Sequence, residues 1–491
     1  MDEQKKFLVP GFYLLFFISG VSGLVYQSLW LRMFTLVLGN SLHSASLVFA
    51  AFMCGLGLGA WFFGRYVERK KDILVVYVAL ELGIALTGLA VGKAIPSLGR
   101  LIPSLQSWLF GYPPLLGLFR LAVSFVIMLV PAMLIGGTLP VLSHFLIRRL
   151  DLAGQRIGGL YGWNTMGAVA GCAATGFWLL RVAGMSASLY TAVALNLFVA
   201  LAALALRSYA GSLRAGEVAG GRRVPAGAPG PSIPQGMRCL LTAAAGITGM
   251  AALGCEVVWA RFLSFLLHND IYAYYLMLSC VLLGIGLGSL VYSRWLDRVQ
   301  RRLLILGLLE TGLGLSVAAC YLACALIYRW FGGSPAFMRL QNFLLDLFAE
   351  PFYSLISIRL LFTLAALFLP SLVMGAVFPL ICRLYLVDKR SVGSGTGSIY
   401  AANTAGAVAG ALACGFFLVP VLGVQNSLFI LAGINLALGA VIVLYEARLS
   451  VAGAAGRATA LAAAALAFGL LFLLPGNQVR EFVMKDKKYT R

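Results

Sequence analysis

Charge is scarce in this sequence. Of its 491 residues only 17 are Asp or Glu and 3 are His, and all charged residues together make up 11%, less than half the share of a soluble globular chain. No hydrophilic stretch is long enough to fold as a separate soluble domain. That excludes a cytosolic enzyme, a secreted domain and a single-span receptor. No Cys-x-x-Cys pair occurs either: Cys54, Cys172, Cys239, Cys255, Cys280, Cys320, Cys324, Cys382 and Cys414 stand singly, nearly all in apolar runs. They read as small core residues, neither disulfide partners nor metal ligands. His43, His144 and His268 fall near the ends of apolar runs, without the spacing of a metal or haem site. Also missing are a phosphate-binding Gly-x-x-x-x-Gly-Lys loop, a Ser-His-Asp or paired-carboxylate arrangement, and the aromatic-basic patches that bind nucleic acid. Gly55-x-Gly57 sits inside an apolar run with no preceding strand, so it reads as helix packing and not as a dinucleotide fingerprint. The start, MDEQKKFLVPGFYLLFFISG, lacks a small-residue cleavage site, and its apolar character continues to Leu38. It reads as a first transmembrane helix and not a cleaved signal.

What the chain has in abundance is apolar surface, 61% of its residues. A helix crosses a bilayer in roughly 20 apolar residues. On that measure the sequence offers spans near 10–38, 43–64, 73–95, 114–146, 157–180, 185–206, 239–267, 271–293, 303–328, 353–385, 397–419 and 425–445, with a thirteenth, shorter one at 459–474. Basic residues sort between the loops. Lys5 and Lys6, the run Arg65 to Lys71, Arg148, Arg149 and Arg156, the segment Arg207 to Arg238, Arg294 to Arg302, Arg383 to Arg390, and Arg448 and Arg457 share one side; the other side holds only Lys93, Arg100, Arg181, Arg329 and Arg339. The positive-inside rule then places the N-terminus in the cytoplasm and explains the net charge of +20. A thirteenth span would carry the basic tail to the opposite side, so the side of the tail stays open.

The sequence also repeats itself. At one constant spacing Gly20 matches Gly249, Trp30 Trp259, Arg32 Arg261, Gly55 Gly284, Gly59 Gly288, Arg65 Arg294, Glu68 Asp297, and Glu81 Glu310. At a spacing ten residues longer Arg120 matches Arg359, Pro131 Pro370, Tyr161 Tyr400, Asn164 Asn403, Gly184 Gly423, and Asn196 Asn435. The insertion falls in PAFMRLQNFLLDLFAEPF, an amphipathic segment expected to lie in the outer interface. Six spans per half is an even number, so the halves are parallel repeats, as in major-facilitator transporters. The expected fold is an all-α polytopic membrane protein, two parallel six-helix repeats in the major-facilitator manner plus one extra C-terminal helix. Its parts are an N-terminal repeat (1–206), a flexible Gly/Pro/Arg linker (207–238), a C-terminal repeat (239–445), an extra helix (446–475) and a basic tail (476–491). GRYVERKK and SRWLDRVQRR, after the second helix of each half, loosely resemble the major-facilitator Gly-x-x-x-Asp-Arg-x-Gly-Arg-Arg loop, without its second glycine.

A more specific resemblance lies in SGVSGLVYQSLWLRMFTLVLGNSLHSASLVFAAFMCGLGLGAWFFGR, LYGWNTMGAVAGCAATGFWLL, GCEVVWARFL and SIYAANTAGAVAGALACGFFLVPVLG. Over roughly residues 10–475 the chain resembles the transmembrane part of membrane-bound spermidine-synthase-like proteins, in which a major-facilitator-like part is fused to an aminopropyltransferase-like domain. The resemblance implies a link to polyamines. Beyond Pro475 only a short tail follows, with no nucleotide-binding unit and no catalytic carboxylate, so the chain alone is expected to lack aminopropyltransferase activity.

Ionisable residues inside spans are costly and become functional candidates by default. They are Glu81, Glu256 and Glu310, with Arg32, Arg120, Arg261 and Arg359. By major-facilitator analogy Gln27, Arg120, Glu256 and Arg359 are expected to converge on a central cavity from four helices. Glu81 with Arg120, and Glu310 with Arg359, are expected to form an intramembrane ion pair in each half. Glu256 differs, because its repeat partner is neutral Gln27, and a charge asymmetry in a pseudo-symmetric cavity suits proton coupling or substrate recognition. Arg32 and Arg261, which follow Trp30 and Trp259 near the outer interface, read as interfacial anchors and not as transport residues. Tyr161, Asn164, Tyr400 and Asn403 read as interhelical hydrogen-bonding residues. No catalytic residue, metal ligand or cofactor site is expected, and no nucleic-acid partner. Three functions stay open for this multi-pass inner-membrane chain: a transporter of a small polar metabolite such as a polyamine, the membrane anchor of a separate aminopropyltransferase-like protein, or a structural subunit of a larger membrane complex.

Overall fold

The computed structural model describes residues 2–38, 42–98, 113–147, 149–218, 233–266, 271–331, 335–348, 351–449 and 469. Among them the N-terminal half comprises α1 (Asp2–Leu38), α2 (Leu42–Glu68), α3 (Ile73–Leu98), α4 (Pro113–Leu146), α5 (Ala153–Ala174) and α6 (Gly184–Val218). The C-terminal half comprises α7 (Gln235–Leu266), α8 (Ile271–Leu296), α9 (Arg302–Phe331), α10 (Pro335–Phe348), α11 (Pro351–Tyr385), α12 (Val392–Ala413) and α13 (Gly423–Leu449). All but α10 are long. Among the described residues, ten continuous apolar helical stretches are long enough to cross a membrane, and two of them, of 58 and 60 residues, each hold two crossings. These break where π-helical segments, Thr175–Ala183 and Cys414–Leu422, meet Gly184 and Gly423. Both glycines have positive φ, 76° and 79°, which a residue with a Cβ adopts only with strain. The chain therefore reverses at the same place in each repeat.

Small residues set how closely the helices pack. Inside a bilayer helices gain little from the hydrophobic effect and associate through van der Waals fit, which favours glycine at crossings. Gly59 abuts the Met133 backbone and Gly288 the Leu372 backbone, joining α2 to α4 and α8 to α11. Gly167 meets Phe17 and Gly406 meets Gly246, joining α5 to α1 and α12 to α7. Equivalent residues meet equivalent partners in both halves, so the sequence repeat is a structural one. The halves meet along α2 against α12 and α5 against α8. At one end Gly64 faces Gly393 and Gly154 faces Asp297, so the face that holds the N-terminus is also the entry face of the second half. The repeats are parallel.

One expectation changes. The segment from 207 continues α6 in helical form to Val218, because SYAGSLRAGEV is rich in the helix formers Ala, Leu, Arg and Glu. Trp30 and Trp259 are 0% and 1% exposed; they pack inside the halves, Trp30 against Tyr26 and Phe52 and Trp259 against Phe262, and so are core residues, whereas Arg32 and Arg261 beside them are exposed. The extra helix at 459–474 and the tail lie outside the described residues, apart from Gly469. The inserted segment is the 14-residue helix α10, which buries Leu344 on α11 and exposes Met338, Phe343 and Leu347.

Candidate functional site

A cavity of about 240 Å³ lies between the halves. From α1 it takes Phe16, Ser19, Gly23, Leu24 and Gln27, and from α7 Gly249, Ala252, Leu253 and Glu256. Helix α5 adds Tyr161, Asn164 and Thr165, and α12 adds their repeat mates Tyr400, Asn403 and Thr404. Helices α2, α4, α8 and α11 complete the wall with largely apolar side chains, including Phe52, Ile135, Leu282 and Met374.

Repeat symmetry positions most of the polar groups. Asn164 Nδ2 donates to Phe16 O on α1 at 3.0 Å, and Asn403 Nδ2 donates to Ala245 O on α7 at 3.1 Å. Each amide crosses the glycine contact beside it and holds its helix pair together while its residue lines the cavity. Thr165 and Thr404 turn their hydroxyls back to the carbonyls of Tyr161 and Tyr400. Phe378 inserts between those tyrosines, with ring centroids 4.8 Å from Tyr161 and 5.7 Å from Tyr400, and this aromatic layer bridges the halves.

Glu256 breaks the symmetry. It is the one charged side chain among the described lining residues, and among the described residues no donor or cation bonds its carboxylate. It sits near Cys172 of α5 and Tyr274 of α8. The other wall at that level carries Gln27, 8% exposed. Such a site offers one acceptor-only anion among amides, hydroxyls and aromatic faces, which suits a cation or a proton.

Arg120 and Arg359 do not join them. Helices α4 and α11 reach the cavity at Ile135, Thr138, Leu139 and Met374, fifteen residues or so, about 22 Å, from either arginine. The expected ion pairs fail for the same reason. Glu81 lies about 12 Å along α3 from its Ile73 end, while Arg120 lies about 39 Å along α4 from the Leu146 end at that same face. Gly83 packs on Leu134, which fixes the level. Glu310 and Arg359 are separated in the same way. Glu81 is fully buried and turns to other helices: Ser19 Oγ of α1 donates to its Oε1 at 2.8 Å and Asn196 Nδ2 of α6 to its Oε2 at 2.6 Å. Glu310, also fully buried, has Thr248 Oγ1 of α7 at 2.5 Å from its Oε1. Ser19 and Thr248 are repeat mates, so each half ties its third helix to its first.

At the N-terminal face two further carboxylates span the halves. Glu68, at the end of α2, accepts Ser394 N at the start of α12 at 2.6 Å. Its mate Asp297, after α8, accepts Gly154 N at 3.1 Å and Gln155 N at 2.7 Å at the start of α5, and pairs with Arg383 Nε of α11 at 3.0 Å. A carboxylate on a helix N-terminus meets free N–H groups and the positive end of the helix dipole. The loops that loosely resemble the major-facilitator motif thus close the molecule at this face.

No protein-family model matches the chain, and no curated protein matches it. Among solved structures, a bacterial homologue of the iron transporter ferroportin in an outward-facing state matches with a TM-score of 0.56 at 14% identity, over 90% of this chain and 100% of that one. The E. coli fucose:proton symporter matches with a TM-score of 0.51 at 14% identity, over 90% of this chain and 98% of that one. At such identity the likeness is one of fold: this chain has the fold of major-facilitator transporters. The resemblance to spermidine-synthase-like proteins finds no counterpart in these matches.

Proposed function

We propose that the chain is a secondary transporter of the cell inner membrane, with its N-terminus in the cytoplasm, that carries a small organic cation and alternates access by rocking its two halves about the central cavity. The observation that supports this reading is Glu256, an acid with no described partner in a cavity otherwise lined by neutral groups. The cavity, about 240 Å³, is below the size of drug-binding pockets, so the cargo is small. Amides and hydroxyls along its walls favour a solute with several donors. A polyamine has that chemistry and is the class the sequence resemblance implies; the neutral Gln27 opposite Glu256 leaves an anionic cargo without a counter-charge.

The test is uptake into proteoliposomes that contain the purified chain, against a panel of amines, sugars and organic anions, with and without a pH gradient. We expect amine uptake alone. Glu256→Gln should fold normally, since it recreates the amide of Gln27 with little change of volume, yet should lose at least about 90% of uptake, the tenfold effect of about 1.4 kcal/mol in cation recognition. Equal amine uptake by the variant, or sugar or anion uptake by the unmodified chain, would refute the reading.

A further inference from the structure

Behind the cavity wall each half buries an acid that the transport reading does not use. Glu81 and Glu310 are fully buried, and no cationic side chain is among their described partners. The groups facing Glu81 are Ser19 and Tyr26 from α1, Tyr77 from α3 itself and Asn196 from α6. Helix α4 carries its titratable residues, Arg120 and His144, toward its two ends. A carboxylate charge in such a place has no described counter-charge, and burying it is costly.

Hydrogen-bond inventory in the C-terminal copy points the same way. Thr248 Oγ1 has one hydrogen but two oxygens within reach, Ala244 O at 2.8 Å and Glu310 Oε1 at 2.5 Å. Were Glu310 ionised, both oxygens would be acceptors and one contact would have no hydrogen in it. A proton on Glu310 resolves this: the acid donates to Thr248, and Thr248 donates to Ala244 O. Beyond the Asn196 bond that only Glu81 has, the copies differ in access to the cavity. Ser19 lines the cavity, whereas Thr248 is buried, 4% exposed, and does not.

We propose that Glu81 and Glu310 are held as carboxylic acids and that Glu81 is a proton-binding site in exchange with the cavity through the Ser19 hydroxyl, while Glu310 is sealed. In loading, Ser19 Oγ accepts a proton from a hydronium ion in the cavity, which becomes water, as its own hydroxyl proton passes to Glu81 Oε1; discharge reverses both transfers and returns the proton to a cavity water. This does not rest on Glu256.

Infrared difference spectroscopy on the full chain in nanodiscs tests it. At neutral pH, the unmodified chain minus Glu81→Gln should show a carboxylic-acid C=O band, as should the unmodified chain minus Glu310→Gln. On transfer to D₂O the Glu81 band should shift well before the Glu310 band, and Ser19→Ala should slow it by about tenfold, the factor carried by one hydrogen bond. Carboxylate bands in place of the acid band, or exchange equally fast in Ser19→Ala, would overturn the proposal. If Glu81→Gln does not fold, the exchange kinetics of the acid band in the unmodified chain and in Ser19→Ala decide the matter by themselves.

Discussion

Three intramembrane glutamates in one chain have three different surroundings, and their neighbours distinguish them. Glu256 faces the cavity with no described bonding partner, Glu81 is held by two donors, and Glu310 lies against a threonine that has already spent its hydrogen. The different asymmetry of Glu256 was legible in the sequence, because the repeat shows Gln27 in its place. The partners of Glu81 were not. Recurrence of Glu81 and Arg120 as Glu310 and Arg359 shows that the positions are equivalent between halves, but says nothing about whether they touch. Distance from a shared membrane face decides that, and it separates them by about 27 Å. Asn196, the partner actually used, also recurs, as Asn435, but an asparagine in an apolar run carries a weaker signal than an arginine. A double-mutant cycle checks the revised assignment by thermal unfolding. Glu81→Gln with Arg120→Gln should be additive within about 0.5 kcal/mol, whereas Glu81→Gln with Asn196→Ala should couple by about 0.5–3 kcal/mol. Coupling in the first cycle and none in the second would restore the ion pair.

At the scale of elements, hydropathy set out the twelve long helices and the repeat set their pairing, since Gly55, Gly59, Gly167 and Gly171 recur at the positions where helices cross. The π-helical turns before Gly184 and Gly423 were hidden, because Pro420 in CGFFLVPVL has no proline mate in TGFWLLRVA to mark the break as a repeated one, and an extra residue per turn leaves no mark in a hydropathy window. Facing direction was hidden too: Trp30 and Trp259 stand near helix ends, where lipid anchors are common, yet face inward. Glycines offer a graded test. Gly406 lies against the Gly246 backbone, so a side chain there must push α12 off α7, whereas a Cβ added at Gly23 meets nothing within 4 Å. Gly406→Val should therefore cost at least about 1–3 kcal/mol, the usual scale of overpacking, and broaden the size-exclusion peak. Gly23→Ala should leave unfolding unchanged while narrowing the cavity. Equal stability of the two variants would mean that the crossing tolerates separation.

For the whole molecule, the proposed alternation of access depends on how firmly the halves are held at the N-terminal face, and the two equivalent contacts there are unequal. Glu68 holds one backbone N–H of α12, whereas Asp297 holds two of α5 and also Arg383. Arg383 and Asp297 both belong to the C-terminal half, so the arginine positions the carboxylate while the two N–H bonds cross between halves. Replacing Asp297 by Asn removes the charge from all three contacts, and hydrogen bonds to a charged group are worth about 1.5–3 kcal/mol each. Losing even about 1.4 kcal/mol moves the ratio of closed to open forms tenfold. Glu68→Gln keeps an acceptor for its single N–H and should shift that ratio less. Ser289 supplies the reporter: fully buried, it donates to Gly158 O across the α5–α8 contact at 2.9 Å, and a cysteine there is reached only when the halves part. In a chain with Cys54 and Cys239 replaced by serine, a water-soluble maleimide applied from the N-terminal face should label Ser289→Cys about ten times faster once Asp297→Asn is added, and less than that with Glu68→Gln. If the two acids have equal effects, repeat symmetry governs closure; if neither changes labelling, packing of α2 on α12 and α5 on α8 closes this face, and the carboxylates only cap helices.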